Sequence, residues 1–163
     1  MYRVLPLDPA LDRTAFRCGN DVLDHYFRER VGQDIRRRFA SCFVALDEHR
    51  GIVGFYTLAA TSILLDALPV TVLKKLPRYP LVPAIRMGRL AVDQAAREQG
   101  LGGALLADAL GRSASSEIAA YALVVDAKDN AAVAFYEHHG FVRFVSEPRS
   151  LFLPLATIKN LQR

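Results

Sequence analysis

Between Arg89 and Gly103 the chain reads RLAVDQAAREQGLGG, and this segment constrains the fold more than any other. A β-type run through Leu90, Ala91 and Val92 passes into a polar turn at Arg97, Glu98 and Gln99. Gly100 to Gly103 then open an apolar helix through Ala104, Leu105, Leu106, Ala109 and Leu110. A strand that runs through glycines into a helix N-terminus presents free backbone N–H groups and the positive end of the helix dipole, and together these hold phosphate. Glycine is needed because a side chain would keep a pyrophosphate away from the backbone. The third glycine of a dinucleotide fingerprint is missing at its spacing, as is the Gly-Lys-Ser/Thr of a P-loop, so neither site is indicated.

Around this segment the pattern alternates. A helix follows Cys18 and Gly19, capped by Asn20 or Asp21, with Val22, Leu23, Tyr26, Phe27, Val31 and Ile35 on one face and Arg36, Arg37 and Arg38 at its end. Cys42 to Leu46 and Ile52 to Leu58 read as an antiparallel hairpin. Leu68 to Pro83 reads as an irregular insertion broken by prolines, after which Ile85 to Val92 is a strand. Ala122 to Asp126 is a strand behind the glycine-opened helix. A second helix spans about Ala131 to His139, capped by Asp129 or Asn130 and closed by Gly140, and Phe141 to Val145 and Leu151 to Leu155 are the last strands. Helix, hairpin, strand, helix, strand, helix and strands predict an α/β (α+β) fold with a mixed central sheet flanked by helices.

At 163 residues, 52% hydrophobic and 23% charged, the chain is expected to form one domain over residues 1–163, with no disordered or collagen-like part. No apolar run approaches the roughly 20 residues of a spanning helix, and the N-terminal residues lack the layout of a leader peptide. Cys18 and Cys42 cannot build a disulfide framework and sit at no metal-ligand spacing, so the expected compartment is the cytoplasm and no metal is expected. All but four of the 21 basic residues are Arg, which binds phosphate in bidentate fashion and stacks on bases; a GC-rich genome gives the same bias.

Arg97-x-x-Gly100-x-Gly102 after the strand Leu90 to Val92 resembles the acetyl-CoA pyrophosphate loop of the GNAT acetyltransferases. Asp129, Asn130, Ala131, Ala132, Val133, Ala134, Phe135, Tyr136 and on to Gly140 and Phe141 resembles the same family's Asn-x-x-Ala-x-x-x-Tyr-x-x-x-Gly-Phe helix. Asp129 stands where the family has its Asn, with Asn130 one residue late, so the pantetheine contact is open between them. Phe16, Cys18, Gly19, Leu23, Tyr26, Phe27, Gln33 and Arg38, with Gly88 to Asp93 and Val125 to Asp129, extend the resemblance to the GNAT toxins of type II toxin–antitoxin systems.

The resemblance implies an N-acetyltransferase that uses acetyl-CoA in the cleft where the central parallel strands splay. It implies an aminoacyl-tRNA substrate acetylated on its α-amino group, arrest of translation, a ribbon-helix-helix antitoxin as partner, and a homodimer. The cofactor-binding residues so implied are Leu90, Ala91, Val92, Arg97, Glu98, Gln99, Gly100, Leu101, Gly102, Gly103, Asp129, Asn130, Ala132, Phe135 and Tyr136.

Acetyl transfer from a thioester to an amine needs a neutral amine, a stabilised oxyanion and a proton for the departing thiolate. Tyr136 is the candidate acid, and a backbone N–H near Val92 the candidate oxyanion donor. No carboxylate stands out as a base; Asp93 and Glu98 are nearest. An α-amino group titrates at roughly 7.7–8.0 against about 10.4 for a lysine, so an α-amino acceptor has less need of one. Arg36, Arg37, Arg38, Lys74, Lys75, Arg78, Arg86 and Arg89 are candidate tRNA contacts, against the alternative of a solvated basic surface. His138 and His139 read as helix-end residues, His25 and His49 as surface, and Cys18 and Cys42 as core. Two other functions stay open: a GNAT enzyme acting on a small amine or a protein N-terminus, and a non-catalytic acetyl-CoA-binding module.

Overall fold

The structure, a computed structural model, describes residues 1–161, which fall into two compact units. The first comprises Met1–Ala59 and Gly88–Ala109, and the second residues 60–87 together with the chain from Leu110 onward. Among the described residues the strands and α-helices are β1 (Tyr2–Pro6), α1 (Asp21–His25), α2 (Val31–Arg36), β2 (Ser41–Asp47), β3 (Gly51–Leu64), α3 (Val70–Leu73), β4 (Leu81–Val92), α4 (Leu101–Ala114), β5 (Ala122–Asp126), α5 (Asn130–His138), β6 (Val142–Arg143), β7 (Ser150–Pro154) and α6 (Leu155–Leu161). Strand order is β1-β2-β3-β4 in the first unit and β3-β4-β5-β7-β6 in the second, so β3 and β4 contribute to both. The mixed α+β architecture expected from the sequence is present.

In the first unit, antiparallel ladders join β1 to β2 and β2 to β3. Asn20 caps α1, its side chain accepting from the N–H groups of Val22 and Leu23. The helix expected to run unbroken to Ile35 is instead divided by a π-helical segment, Tyr26–Arg30. Arg13 crosses to it and donates to the carbonyls of Phe27 and Arg28. The segment turns Phe27 onto Phe55, the rings stacked with centroids 4.2 Å apart, and Phe16 meets both edge-on. Burying each of these rings is worth about 1.5–3 kcal/mol, which offsets the irregular helix. On the opposite side of β3, Gly54 makes room for α4. A Cβ there would lie 2.8 Å from Leu105 Cδ1 and 3.1 Å from the Ala91 carbonyl oxygen.

In the second unit, β5 pairs parallel with β4 from Ala84↔Ala122 to Met87↔Val125, where the pairing stops. β7 pairs antiparallel with β5 and with β6. Ala122, Leu123, Val124 and Val125 are all buried, the continuous apolar run of a central strand. Ile63, Leu68, Val82, Ala84, Val124 and Phe152 form the core of this unit.

Several expectations are corrected. β1 was not foreseen, and neither was α6. β3 continues past Leu58 to Leu64. The proline-rich stretch is partly regular: Pro69 starts α3, and Pro83 lies within β4. The strand expected over Phe141 to Val145 shrinks to Val142–Arg143, because the Val145 N–H bonds instead to the Ala67 carbonyl. No helix of the described residues is long and apolar enough to cross a membrane.

Candidate active site

In the first unit the glycine loop forms as its sequence requires. Asp93 caps a single 3-10 turn, Gln94–Ala96, with Oδ1 accepting from Ala95 N–H at 2.9 Å and Oδ2 from Arg17 N–H at 3.0 Å. Glu98 (φ 62°) and Gly100 (φ 73°) then adopt left-handed backbone on either side of Gln99. The first helical bond runs from Ala104 N–H to the Gly100 carbonyl, so the N–H groups of Leu101, Gly102 and Gly103 lie in the unpaired first turn of α4. Leu101 is buried and anchors the turn, while Glu98, Gln99 and Gly100 are exposed. The Arg97 side chain is committed elsewhere: it donates to the Cys18 carbonyl, and only its backbone remains at the loop.

Arg89, on the same strand as Leu90, Ala91 and Val92, lies over the buried ring of Tyr26, its guanidinium carbon 3.5 Å from the ring centroid. The Tyr26 hydroxyl donates to Asp34 at 2.7 Å. Burial and the Asp34 carboxylate raise that phenol above its usual range, so Tyr26 acts as a neutral donor and platform. Arg36, Arg37 and Arg38 are exposed at and beyond the end of α2.

In the second unit the Asp129 carboxylate caps α5, accepting from Ala132 N–H at 2.8 Å. Its Oδ1 is thereby engaged, while Asn130, the first helical residue, is exposed. Two turns on, Tyr136 is 8% exposed and packed between Phe135 and Phe141, with ring centroids 5.2 and 5.5 Å away. Among the described residues its hydroxyl has no hydrogen-bond partner. Burial first, and the negative charge of Asp126 second, push its pKa up to about 12. The group is a protonated phenol at any physiological pH, with its proton uncommitted.

Asp126 itself sits at the end of β5, ion-paired with Arg86 and accepting from Ser150 Oγ at 2.6 Å. Arg86 was expected to face RNA; its guanidinium is paired within the protein. Lys74, Lys75 and Arg78 are exposed after α3.

The remaining expectations separate cleanly. Asp93 is spent on loop N–H groups and Glu98 points into solvent, so neither is held as a base. His139 bonds through Nδ1 to the Phe135 carbonyl at 2.8 Å, a helix-end role, and His25 and His49 are exposed. Cys18 and Cys42 are buried free thiols whose pKa burial raises, to about 12 for Cys42, which makes them unreactive core groups. Among the described residues no cluster of His, Cys, Asp or Glu could hold a metal ion. Asp126, Tyr26 and Asp34 were not singled out as site groups in the sequence. The usable signal for Asp126 was its place at the carboxyl end of a buried parallel strand, where α/β sheets bind ligands.

A family model described as an acetyltransferase (GNAT) domain matches residues 38–143. The chain is 37% identical over 157 residues to a tRNA-acetylating toxin of Mycobacterium tuberculosis (strain ATCC 25618 / H37Rv), covering 95% of this chain and 93% of that one. AtaT complexed with acetyl-methionyl-tRNAfMet matches it with a TM-score of 0.91 at 27% identity, over 100% of both chains. AtaTR bound with AcCoA matches with a TM-score of 0.84 at 27% identity, over 99% of this chain and 98% of that one. The chain therefore belongs to the GNAT acetyltransferases and is an N-acetyltransferase.

Proposed function

We propose that this enzyme transfers the acetyl group of acetyl-CoA to the α-amino group of aminoacyl-tRNA, blocks translation by doing so, and is neutralised by a cognate ribbon-helix-helix antitoxin. The observation that carries the chemistry is Tyr136, a buried phenol on the family's helix motif whose proton is neither ionised nor engaged. The whole-length likeness to a tRNA-acetylating toxin carries the acceptor. In this reading residues 1–163 act as one catalytic domain, as a homodimer and in the cytoplasm.

Arg97, Glu98, Gln99, Gly100, Leu101, Gly102 and Gly103 hold the pyrophosphate, the contacts coming from backbone N–H groups. Leu90, Ala91 and Val92 lie along the pantetheine, and the Val92 N–H faces the thioester oxygen. Asn130, Ala132 and Phe135 flank the thiol end; since the Asp129 carboxylate is tied to Ala132 N–H, Asn130 makes the amide contact. The neutral amine attacks the thioester carbonyl, a C–N bond forms and the C–S bond breaks. Tyr136 passes its proton to the departing thiolate, and the proton shed by the amine leaves to water and restores the phenol. Acetyl-amide and free CoA thiol are the products.

Arg36, Arg37, Arg38, Lys74, Lys75, Arg78 and Arg89 supply the phosphate contacts, while Arg86 stays with Asp126. Arg89, carried by the cofactor strand itself and held on Tyr26, serves the acceptor end. Transfer of labelled acetyl from acetyl-CoA to a pool of total charged tRNA, against the same pool deacylated, tests this reading. Label on the charged pool alone, absent with Tyr136→Phe, is expected. Label on neither pool, with acetyl-CoA bound normally, overturns it in favour of a small amine or a protein N-terminus.

A further inference from the structure

A cavity of about 370 Å3 opens in the second unit, at the low end of the usual size for small-molecule sites, and the acetyl-transfer chemistry above does not use it. Its walls join two kinds of surface: Ile63, Val124 and Phe144 are apolar, and Asp66, Glu147 and Arg86 are charged. Arg86 and Ser150 line the cavity and also hold Asp126. The same Asp126 carboxylate acts electrostatically on the Tyr136 phenol. Asp126 is therefore held by two residues of the cavity wall and belongs to the surroundings of the acid.

The charge of this wall decides what it can receive. With Arg86 neutralised by Asp126, the exposed carboxylates of Asp66 and Glu147 leave the mouth negative. A phosphodiester is repelled by such a mouth, whereas an ammonium group is drawn to it. The apolar walls behind accept an aliphatic or aromatic side chain but disfavour an unpaired carboxylate. An ammonium and a side chain on adjacent atoms, presented without a phosphate, describe the amino-acid end of a charged tRNA.

We propose that this cavity is the aminoacyl pocket, holding the amino-acid side chain against Ile63, Val124 and Phe144 with its α-amino group toward Asp126 and Glu147, and rejecting aspartyl and glutamyl groups. The proposal rests on the aminoacyl-tRNA reading above. It assigns the two properties of the substrate to different residues: tRNA affinity to the arginines and lysines, and amino-acid choice to this wall. The captured ammonium gives its proton to water at the exposed mouth before it attacks.

Ser62 and Ser146 line the cavity and are exposed, so Ser62→Trp and Ser146→Trp narrow its mouth without burying a new ring in the core. Each is assayed for acetyl-CoA affinity by calorimetry, for kcat/KM on total charged tRNA, and for the amino acids recovered after hydrolysis of the acetylated product. Unchanged acetyl-CoA affinity, at least a tenfold loss of kcat/KM and a shift toward smaller amino acids are expected. Glu147→Lys, a surface change, is expected to admit aspartyl or glutamyl groups that the wild type excludes. Tryptophan variants that bind acetyl-CoA normally and acetylate the wild-type set at the wild-type rate remove the pocket while leaving the toxin reading intact. An unchanged amino-acid set with Glu147→Lys removes the charge argument even if a tryptophan variant fails to fold. A wild type that labels no charged tRNA overturns both.

Discussion

From Arg97 to Gly103 the first unit offers backbone to a ligand, its side chains being absent, exposed, buried as an anchor at Leu101 or, for Arg97, bonded to the Cys18 carbonyl. Along α5 the second unit offers a side chain, Tyr136, and uses backbone and cap only to aim it. In the function proposed above, the difference matches what each end of acetyl-CoA demands. A pyrophosphate spreads charge over several oxygens and is met by several N–H groups that glycines leave accessible. A departing thiolate needs one proton from one atom, which has to be kept protonated and dry until it is used. On that reading the first design tolerates change at its exposed side chains, Glu98 and Gln99, while the second depends on a single oxygen.

The largest effect tests that dependence. Tyr136→Phe removes one hydroxyl that bonds nothing else among the described residues, so the packing against Phe135 and Phe141 survives. Its kcat is expected to fall by about 100-fold or more, the scale of a lost general acid. The acetyl-CoA dissociation constant, read by calorimetry, should stay within about twofold of wild type, since the phenol makes no ground-state bond to the pyrophosphate. Equal losses in both quantities would place Tyr136 with the binding groups and erase the contrast.

The converse change is Gly102→Val. It puts a branched side chain at the second N–H of α4 and is expected to weaken acetyl-CoA about tenfold or more, a cost of about 1.4 kcal/mol, with kcat at saturating acetyl-CoA largely retained. Gly100→Ala separates conformation from contact. A Cβ there meets nothing within 4 Å, yet the left-handed backbone costs about 1–2 kcal/mol for a non-glycine residue. Its loss of affinity should therefore appear as loop strain, with a matching fall in thermal stability that Gly102→Val lacks.

What was legible beforehand divides along the same line. The glycine loop, α4, β5 and the capped α5 are local patterns, in which spacing, cap and apolar run lie within a dozen residues, and each was found where the sequence placed it. Arg86 and Asp126 are 40 positions apart, and Arg97 and Cys18 are 79 apart. No local pattern announces such pairs, so the sequence assigned Arg86 to RNA and saw in Arg97 only its motif. β1 escaped because Tyr2–Pro6 is short and mostly exposed, and takes its form from the ladder with β2. The π-helical break at Tyr26–Arg30 answers to Phe55 and Arg13, which are likewise remote in the chain.

A smaller effect comes from pH. Burial and Asp126 both disfavour the Tyr136 phenolate, so the acid stays protonated up to about 12. As pH rises, kcat should therefore increase through the ionisation of the acceptor amine, at roughly 8 or below, and then stay level through the range where an ordinary phenol of about 10 would fail. Asp126→Asn removes one of the two causes and is expected to move the alkaline fall downward without bringing it below that of an ordinary phenol, since burial remains. A wild-type profile that already falls at pH 9 would mean that the phenol is hydrated in the working enzyme.

The smallest effect concerns the aim of the side chain. Asp129 sits where the family motif has Asn, and its carboxylate accepts from Ala132 N–H at the start of the helix that carries Tyr136. Asp129→Ala leaves that donor to water and should cost about 1 kcal/mol of stability, a fall of about 2–4 °C in Tm for a chain of this length. Asp129→Asn retains an acceptor oxygen in the same place and should recover most of it. If Asp129 only caps, both variants keep the wild-type KM for acetyl-CoA. A KM that rises with Asp129→Ala and falls below wild type with Asp129→Asn would show the side chain leaving the cap for the pantetheine amide, and the second unit would then hold its ligand by a side chain at both ends of α5.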